Sequence, residues 1–266
     1  WVPRDGPIVW LWWPRSHSAA CFAALLGTPE NGRWPIAPAA PTARATRAKR
    51  GDTLILETRI ETDEGSAFLI EFMPVRGFRN SDLIRILVGE RGTIRMHTEL
   101  VIRYGYGKAV PWVTRLEEGG LKAVSGPDMI VLHAPVRLRG EGFKSVADFT
   151  VSAGERIPFI LTYGLSHLPM PDRIDPEAAL EQTEALWTEW SARGDTAGEW
   201  SEAVRRSLVT LKALTYAPTG GIVAAPTTSL PEQLGGARNW DYRFCWLRDA
   251  TLTLLSLMNS GHTEEA

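Results

Sequence analysis

Near its C-terminal end the sequence reads Gly235-Gly236-Ala237-Arg238-Asn239-Trp240-Asp241-Tyr242-Arg243-Phe244-Cys245-Trp246-Leu247-Arg248-Asp249-Ala250. No other segment gathers so many aromatic, charged and amide side chains, and a segment that served only a core would carry fewer polar groups. Gly235 and Gly236 lack a Cβ atom and allow a sharp turn or a close backbone approach. The residues that follow have no clean helical or strand period. This pattern is typical of a pocket wall.

Aromatic rings beside Arg, Asp and Asn suit a sugar, whose apolar face lies on a ring while its hydroxyls need fixed donors and acceptors. Arg248 supplies a rigid fork of donors, and ionised Asp249 is a pure acceptor. Because sequence neighbours do not face each other on a helix, we expect these two side chains to meet different partners. The alternative is that both form structural ion pairs and that the large rings are core residues. Those rings are Trp240, Tyr242, Phe244 and Trp246.

The segment closely resembles the signature of glycoside hydrolase family 15, the family of glucoamylases, glucodextranases and some bacterial trehalases. Further stretches are similar to that family and occur in the expected order, so the resemblance extends over most of the chain. One departure is the pair Ser16-His17, where relatives commonly have an aromatic and then an acidic residue. The similar stretches are Arg4-Asp5-Gly6, Ile8 to Leu11, Pro14-Arg15, Phe22 to Gly27, Gly51 to Leu54, Phe72 to Pro74, Leu211 to Tyr216 and Pro218 to Glu232.

The resemblance implies a glucose-binding role for this segment. Arg248 and Asp249 match the Arg-Asp pair that, in the family, hydrogen-bonds hydroxyls of the terminal glucose. Tyr242 and Trp246 match aromatic positions near the same subsite, and the motif also contains Asn239. The predicted substrate-binding residues are Tyr242, Trp246, Arg248, Asp249, Trp240 and Asp241.

No catalytic residue is assigned by the sequence. Inverting glycoside hydrolysis needs a carboxylic acid and a carboxylate about 6.5 to 9.5 Å apart. In the family both are glutamates of an (α/α)6 toroid, and they lie beyond the segment present here. Glu232 and Asp241 are the nearest carboxylates, and their positions favour structural roles. We therefore expect this chain to be inactive by itself.

Composition indicates a globular protein. The 266 residues are 44% hydrophobic and 23% charged, which allows one large or two ordinary domains. Lys plus Arg number 29 and Asp plus Glu number 31, for a net charge of -2, so no basic field favours nucleic acid as a partner. Cys21 and Cys245 are far apart and lack metal-type spacing, and the five histidines form no metal constellation. No cofactor or metal site is expected, and the sequence leaves any requirement for a cation or phosphate open.

Location and completeness are inferred from the ends of the sequence and its apolar runs. No apolar run reaches the roughly 18 residues of a membrane helix, and no signal-peptide pattern begins the chain. We expect a cytoplasmic protein with no membrane partner; the sequence leaves its oligomeric state open. The chain begins at Trp1 directly in the family-like opening. This suggests a fragment.

The pattern along the chain predicts two domains. Val9 to Trp13 reads as a short apolar strand whose tryptophans, with Trp34, are either core or a sugar platform. Residues 28–50, rich in Pro, Ala, Gly and Arg, predict an exposed connector. Repeated short β-rich runs predict an antiparallel sandwich. The predicted strands are Thr53 to Ile60, Ala67 to Met73, Leu83 to Val88, Ile94 to Ile102, Met129 to His133 and Phe159 to Tyr163.

After this region the period becomes helical. Asp175 and Pro176 predict a helix start, a second helix carries Val204 and Leu208, and a third ends at Gly261. With the resemblance, the expected fold is β + α: an N-terminal antiparallel super-β-sandwich in residues 1–172, followed in residues 173–266 by the first helices of a truncated (α/α)6 toroid.

Three function classes follow. The first is part of an inverting glycoside hydrolase that releases glucose from an α-glucoside, either trehalose or maltooligosaccharides. The second is a non-catalytic carbohydrate-binding module with its aromatic platform on the sheet. The third is a structural β-sandwich domain that stabilises a toroid. The position of the sugar-type residues after the sheet region favours the first.

Overall fold

A computed structural model of the chain describes residues 1–3, 6–41, 43–75 and 80–266. Arg4 and Asp5 of the family-like opening lie outside the described residues. The described chain forms two compact units. The sheet unit comprises Trp1–Arg50 and Ile55–Thr183, and the helical unit comprises Gly51–Leu54 and Glu184–Ala266.

Strands dominate the first unit and helices the second. The helices are α1 (Tyr104–Gly107), α2 (Pro176–Ala192), α3 (Ser201–Ala213) and α4 (Leu247–Asn259), with short 3-10 turns at Ala24–Leu26 and Pro29–Asn31. The strands are β1 (Leu11–Trp12), β2 (Ala20–Phe22), β3 (Ile36–Pro38), β4 (Arg44–Lys49), β5 (Leu56–Thr62), β6 (Gly65–Phe72), β7 (Ser81–Leu100), β8 (Trp112–Arg115), β9 (Leu121–Ser125), β10 (Asp128–His133), β11 (Arg139–Glu141), β12 (Lys144–Ser152), β13 (Arg156–Leu165), β14 (Thr215–Tyr216) and β15 (Gly221–Ile222).

The predicted antiparallel sheet is confirmed. Within the described residues eleven strands are connected, and their main order is β4-β5-β6-β7-β13-β10-β9-β8. All of these pairs are antiparallel. The remaining strands continue from the far half of β7, where β12 and β3 pair with it and β11 pairs with β12. The predicted strand Thr53 to Ile60 begins later, at Leu56, and the carbonyl of Thr53 accepts a hydrogen bond from Arg206 Nη1 at 2.8 Å.

The long strand β7 corrects the predicted pair of separate strands at 83–88 and 94–102. Its first half pairs with β6 and β13, and its second half pairs with β12 and β3. Between the halves the register shifts, and a Cβ atom at Gly89 would collide with the carbonyl of Ser152. Gly92 has a φ of 68°, a conformation that favours glycine. The glycines therefore mark a bulge within one strand.

Both halves of β7 contribute to one apolar core. Leu83 and Leu87 from the first half lie in the same buried cluster as Ile94 and Met96 from the second half. The opposite face of the main sheet is also covered, because Ile84 packs in a cluster with residues of the first turns of α2. Burial of each such side chain contributes about 1.5–3 kcal/mol. This two-layer core is consistent with a β-sandwich.

A buried ion pair lies inside this core. Arg85 Nη2 is 2.8 Å from Glu71 Oε1, and both side chains are almost fully buried. Arg85 Nη1 donates to the carbonyl of Trp34 at 2.6 Å, and the guanidinium lies 4.9 Å from the Trp34 ring centroid. Burial lowers the pKa of Arg85, and the Glu71 carboxylate opposes that shift. The pair joins β6 and β7 to the N-terminal segment.

The core interpretation of the N-terminal tryptophans is confirmed. Trp10, Trp13 and Trp34 are buried, and Trp12 packs partly buried beside Trp10. The indole of Trp34 donates to Thr98 Oγ1 at 3.1 Å. These rings are therefore structural rather than a sugar platform.

The predicted exposed connector at residues 28–50 is wrong in part. It contains β3, whose Ile36 is buried, and β4, which forms an edge of the sheet. The basic residues lie on this edge, and Arg47 donates to Thr58 Oγ1 of the neighbouring strand and to the Val2 carbonyl. Charged side chains are common on edge strands because they prevent further strand pairing. Because β4 is rich in charged residues and mostly exposed, its sequence lacks the apolar pattern that predicts a strand.

The predicted helix boundaries are confirmed. Asp175 Oδ1 accepts hydrogen bonds from the N–H groups of Glu177 at 2.9 Å and Ala178 at 3.2 Å, which caps α2. Gly261, with a φ of 85°, follows α4. None of the helices in the described part of the chain is long and apolar enough to cross a membrane. The helical unit has a small core, which consists of Trp187, Trp190, Leu208, Val209 and Leu257 with Leu54 packed against it.

Candidate functional site

The aromatic segment is held by a second segment of the helical unit. Val223 and Cys245 form one antiparallel bridge, and Thr228 and Asp241 form another. Between them the Tyr242 N–H donates to the Thr227 carbonyl at 3.1 Å. The segment is therefore one arm of a paired loop, whose backbone hydrogen bonds fix the direction of each side chain.

Three rings form a contiguous cluster on this arm. The rings of Tyr242 and Trp246 have centroids 5.3 Å apart, and those of Trp240 and Trp246 are 6.5 Å apart in an edge-to-face arrangement. Trp240 and Phe244 are 47% and 49% exposed, so the assignment of all four rings to a core does not hold for these two. Partly exposed rings with defined orientation are available for stacking on a ligand.

Arg248 and Asp249 contact each other, contrary to the expectation of separate partners. Arg248 Nη2 donates to Asp249 Oδ2 at 3.0 Å and lies 3.5 Å from the Tyr242 hydroxyl. The Cβ atoms of helix neighbours point in different directions, but the long Arg248 side chain bends toward Asp249 in the first turn of α4. The contacts with Tyr242 and Asp249 raise the pKa of Arg248. Most of the guanidinium remains exposed, so it can still meet a ligand.

The carboxylate of Asp241 is engaged by Arg243, a residue that the sequence interpretation missed. Arg243 Nε donates to Asp241 Oδ1 at 3.0 Å, and Nη2 donates to Oδ2 at 2.8 Å. Bidentate pairs of this kind are geometrically specific. The Arg243 side chain is only 10% exposed, and the carbonyl of Asp241 accepts from Trp246 Nε1 at 3.4 Å. The Asp-x-Arg spacing of Asp241 and Arg243 is the sequence pattern that could have predicted this pair.

The second candidate carboxylate also has an arginine partner. Glu232 Oε2 lies 3.3 Å from Arg238 Nη1, and the Glu232 N–H donates to the Arg238 carbonyl at 3.3 Å. This pair closes the outer end of the loop. Both carboxylates therefore form ion pairs within the loop, Glu232 with Arg238 and Asp241 with Arg243.

The structure brings the predicted residues into one connected group. Tyr242 touches both Trp246 and Arg248, Arg248 touches Asp249, and Trp240 joins through Trp246. Asp241 belongs to the group through its backbone, while its carboxylate faces Arg243. Chemically, the group offers ring faces, an exposed cation and a carboxylate side by side. This combination can bind a polyhydroxylated ligand.

Two family models match this chain. Residues 1–187 match the family model described as "Trehalase-like, N-terminal", and residues 198–266 match the model "Glycosyl hydrolases family 15". The chain belongs to the family of trehalase-like N-terminal domains. The resemblance seen in the sequence is thereby confirmed, and the matched ranges include both the sheet strands and the aromatic segment.

Proteins similar to this chain are named trehalases. The trehalase of Mycolicibacterium smegmatis is 29% identical over 100% of this chain and 43% of its own length. The trehalase of Thermoplasma acidophilum is 28% identical over 100% of this chain and 46% of its own length. The chain therefore spans less than half the length of these relatives.

A solved structure is more distantly similar. A putative kojibiose phosphorylase from the human microbiome has a TM-score of 0.41 at 7% identity, over 66% of this chain and 30% of that protein. A likeness at this level carries no argument about function.

Proposed function

We propose that this chain is the N-terminal part of an inverting glycoside hydrolase that releases glucose from an α-glucoside. Trehalose is the first substrate to test because the similar family members are named trehalases, and maltooligosaccharides are the second. The observation that carries the proposal is the connected group of Tyr242, Trp246, Arg248 and Asp249 at the start of α4. We assign this group to the subsite for the non-reducing-end glucose.

In this proposal Arg248 and Asp249 act as a preorganised donor–acceptor pair. Their 3.0 Å contact fixes the guanidinium beside the carboxylate, so that one glucose hydroxyl can accept from Arg248 while a neighbouring hydroxyl donates to Asp249. The ring of Tyr242 or Trp246 then meets the apolar face of the sugar. Trp240 and the Asp241–Arg243 pair hold these rings in place.

The general acid and base are proposed to lie outside the residues of this chain. An inverting mechanism needs two carboxyl groups about 6.5 to 9.5 Å apart, one of them protonated. Glu232 and Asp241 are each paired with an arginine of the same loop, so we assign neither of these roles to them. The chain by itself is then inactive, with residues 1–172 as a sandwich domain and 173–266 as the start of a toroid.

Two other functions would use the same fold. A non-catalytic carbohydrate-binding module or a structural sandwich domain would need no catalytic partner. The placement of the candidate subsite in the helical unit favours the hydrolase, because a binding module built on the sheet would not need the Arg248–Asp249 pair.

The test is glucose release from trehalose, maltose and isomaltose. This chain is assayed beside a version extended to the natural start and stop codons of its gene. Activity only in the extended version supports the proposal, and the preferred sugar names the enzyme. Turnover by the 266-residue chain alone would overturn the assignment of the acid and base.

Substitutions in the extended version test the subsite. Arg248→Ala and Asp249→Ala each remove a charged hydrogen bond, so kcat/KM for the preferred sugar is expected to fall roughly 10- to 100-fold. The matched control is Arg238→Ala, because Arg238 is an exposed arginine of the same loop that pairs with Glu232. Unchanged turnover in both site variants contradicts the subsite assignment.

A further inference from the structure

A cleft of about 540 Å³ lies wholly within the sheet unit, apart from the candidate glucose subsite. It is bounded on one side by the edge strand β8 and on the other by the hairpin of β11 and β12. Cavities that bind small molecules typically measure about 300 to 1,000 Å³. The cleft therefore has the size of a ligand site, and no step of the proposed hydrolysis uses it.

The turn of the β11–β12 hairpin carries an aromatic ring on a residue whose backbone conformation is strained. Glu141 pairs with Lys144, which leaves a two-residue turn of Gly142 and Phe143. Both turn residues have positive φ angles, 55° and 61°. Turns of this shape favour Gly or Asn, and a bulky residue there is strained. Phe143 is nevertheless present and is 81% exposed. An exposed apolar ring on a strained backbone does not serve stability.

A buried arginine holds this strained tip in place. Arg103 is 6% exposed, and its Nη1 donates to the Phe143 carbonyl at 3.0 Å and to the Ile102 carbonyl at 2.8 Å. At the base of the turn, Lys144 Nζ lies 2.7 Å from Glu30 and 3.3 Å from Glu99. The hairpin is thus anchored at its turn and at the first residue of β12. Anchoring of this kind orients the Phe143 ring before a ligand arrives.

A second exposed ring lies across the cleft. Trp112, the first residue of β8, is 78% exposed although it belongs to a strand. Its neighbour Val113 also lines the cleft. A tryptophan that a fold leaves this exposed is a common means of contacting a ligand through its ring face.

The charges around the cleft are largely neutralised within the protein. Arg139 Nη2 lies 2.7 Å from Asp148 Oδ2, and Arg139 Nε lies 3.7 Å from Glu141. Lys144 is held by two glutamates. Arg115 is the remaining charged residue of the lining, and a single exposed guanidinium gives little field to attract a polyanion. The walls between the two rings carry guanidinium, carboxylate and hydroxyl groups, including Ser145. Such groups match a neutral ligand rich in hydroxyls.

We propose that this cleft binds a neutral oligosaccharide, with Trp112 and Phe143 as the two stacking platforms. Arg139, Glu141 and Ser145 supply hydrogen bonds to sugar hydroxyls between the rings. The site goes beyond the proposed hydrolytic function, because it would hold a saccharide at the sheet unit whether or not the glucose subsite is complete.

The experiment is isothermal titration of the chain with maltoheptaose, cellohexaose and trehalose. Saturable binding of at least one sugar is expected. Trp112→Ala and Phe143→Asn are each expected to weaken that binding roughly tenfold, by loss of one stacking contact. Asn tolerates positive φ, so Phe143→Asn should leave the unfolding midpoint unchanged or raise it. A loss of binding without a loss of stability separates a ligand role from a structural role.

Two controls locate the site. Trp200→Ala removes a 70% exposed tryptophan of the helical unit and should leave the titration unchanged. The double substitution Arg248→Ala and Asp249→Ala removes the proposed glucose subsite, so saturable sugar binding that remains in this variant belongs to the cleft of the sheet unit. Binding that disappears in the double variant and persists in Phe143→Asn would overturn the proposal.

Other results would also overturn it. The cleft is not a saccharide site if none of the three sugars binds saturably, or if Trp112→Ala and Phe143→Asn bind as the parent chain does. The proposal also fails if these two substitutions change the sedimentation coefficient by dissolving a dimer while sugar binding is unaffected. In that case the exposed rings form an interface between copies of the chain.

Discussion

The sheet unit and the helical unit bury their apolar side chains to different extents. In the described part of the chain, the largest side chains that are almost fully buried all belong to the sheet unit, with Trp34, Arg85 and Phe159 among them. The hydrophobic cluster of the helical unit contains five buried residues. The helical unit leaves Leu230, Leu234 and Leu247 about nine-tenths exposed.

This contrast separates two ways of using apolar residues. The sheet unit encloses most of them between its layers, with Trp112 and Phe143 among the exceptions. The helical unit keeps many on its surface, where they add nothing to its own stability and favour association. Substitutions in the two units should therefore have different consequences, which the following experiments measure.

The largest effect is expected for the buried ion pair of the sheet unit. Glu71→Ala leaves the Arg85 guanidinium charged and buried without its carboxylate, so the free energy of unfolding should fall by about 3–5 kcal/mol. Chemical denaturation followed by tryptophan fluorescence measures the change. Glu90→Ala, which breaks the exposed pair with Arg59, is the control and should cost about 1 kcal/mol or less. Equal effects of both substitutions would contradict a self-contained sheet core.

A smaller effect is expected in the core of the helical unit. Trp190 Nε1 donates to Glu265 Oε1 at 2.6 Å, and the Trp190 ring stacks on His262 with centroids 4.0 Å apart. Trp190→Phe keeps a ring but removes the donor to a buried carboxylate, so the unit should lose about 1–3 kcal/mol of stability. Trp200→Phe, at an exposed position, should change the value by less than about 0.5 kcal/mol. A loss as large as that of Glu71→Ala would remove the contrast between the units.

The same cluster predicts how the stability of the helical unit depends on pH. Burial lowers the pKa of His262 below its ordinary 6.5. Burial alone would raise the pKa of Glu265, but hydrogen bonds from Lys212 and Trp190 outweigh it and hold that pKa below 4.5. In both cases the unfolded chain binds protons first as the pH falls, so stability is lost on acidification. The loss begins near pH 6.5 for His262 and near pH 4.5 for Glu265.

Denaturation of the chain at a series of pH values measures this dependence. In Glu265→Gln the decrease below about pH 4.5 should become shallower, because the titrating carboxylate is gone. The decrease that begins near pH 6.5 should remain. If stability falls as steeply below about pH 4.5 in Glu265→Gln as in the parent chain, Glu265 does not contribute to that decrease.

The smallest change in stability is expected on the exposed face of α4. Leu252 and Leu255 are 59% and 52% exposed, so Leu252→Lys and Leu255→Lys should alter the free energy of unfolding by less than about 0.5 kcal/mol. They should instead reduce the self-association that we expect of the chain. Light scattering measures it, with Leu168→Lys of the sheet unit as the control. A parent chain that is a clean monomer would contradict this prediction.

The parts of the fold that could be predicted are those with local chemical signals. Asp175 before Pro176 marks a helix start in any context, and the structure has the cap there. The strand β7 was predicted as two because Gly89 and Gly92 interrupt its pattern. A glycine in a strand also fits a bulge, and only the approach of Ser152 from β12 and of Glu64 from the turn between β5 and β6 decides between the two.

The candidate site was predictable to a similar degree. The rings and the Arg248–Asp249 pair are adjacent in sequence, so their grouping was visible. The pairing of residues 223–229 with the aromatic arm is a matter of register, which sequence patterns specify weakly in a short polar loop. The contact between Arg248 and Asp249 depends on a rotamer of a long side chain. The cleft of the sheet unit was missed because its two rings are about thirty residues apart and meet only through the sheet topology.

The two cysteines give the protein a built-in reporter. Cys21 is buried, and burial raises the pKa of its thiol to about 12, so it does not react with thiol reagents in the folded state. Cys245 is exposed and lies between Phe244 and Trp246 in the aromatic arm. A maleimide dye therefore attaches at one place without any mutation, and its emission would follow the arrival of a sugar directly.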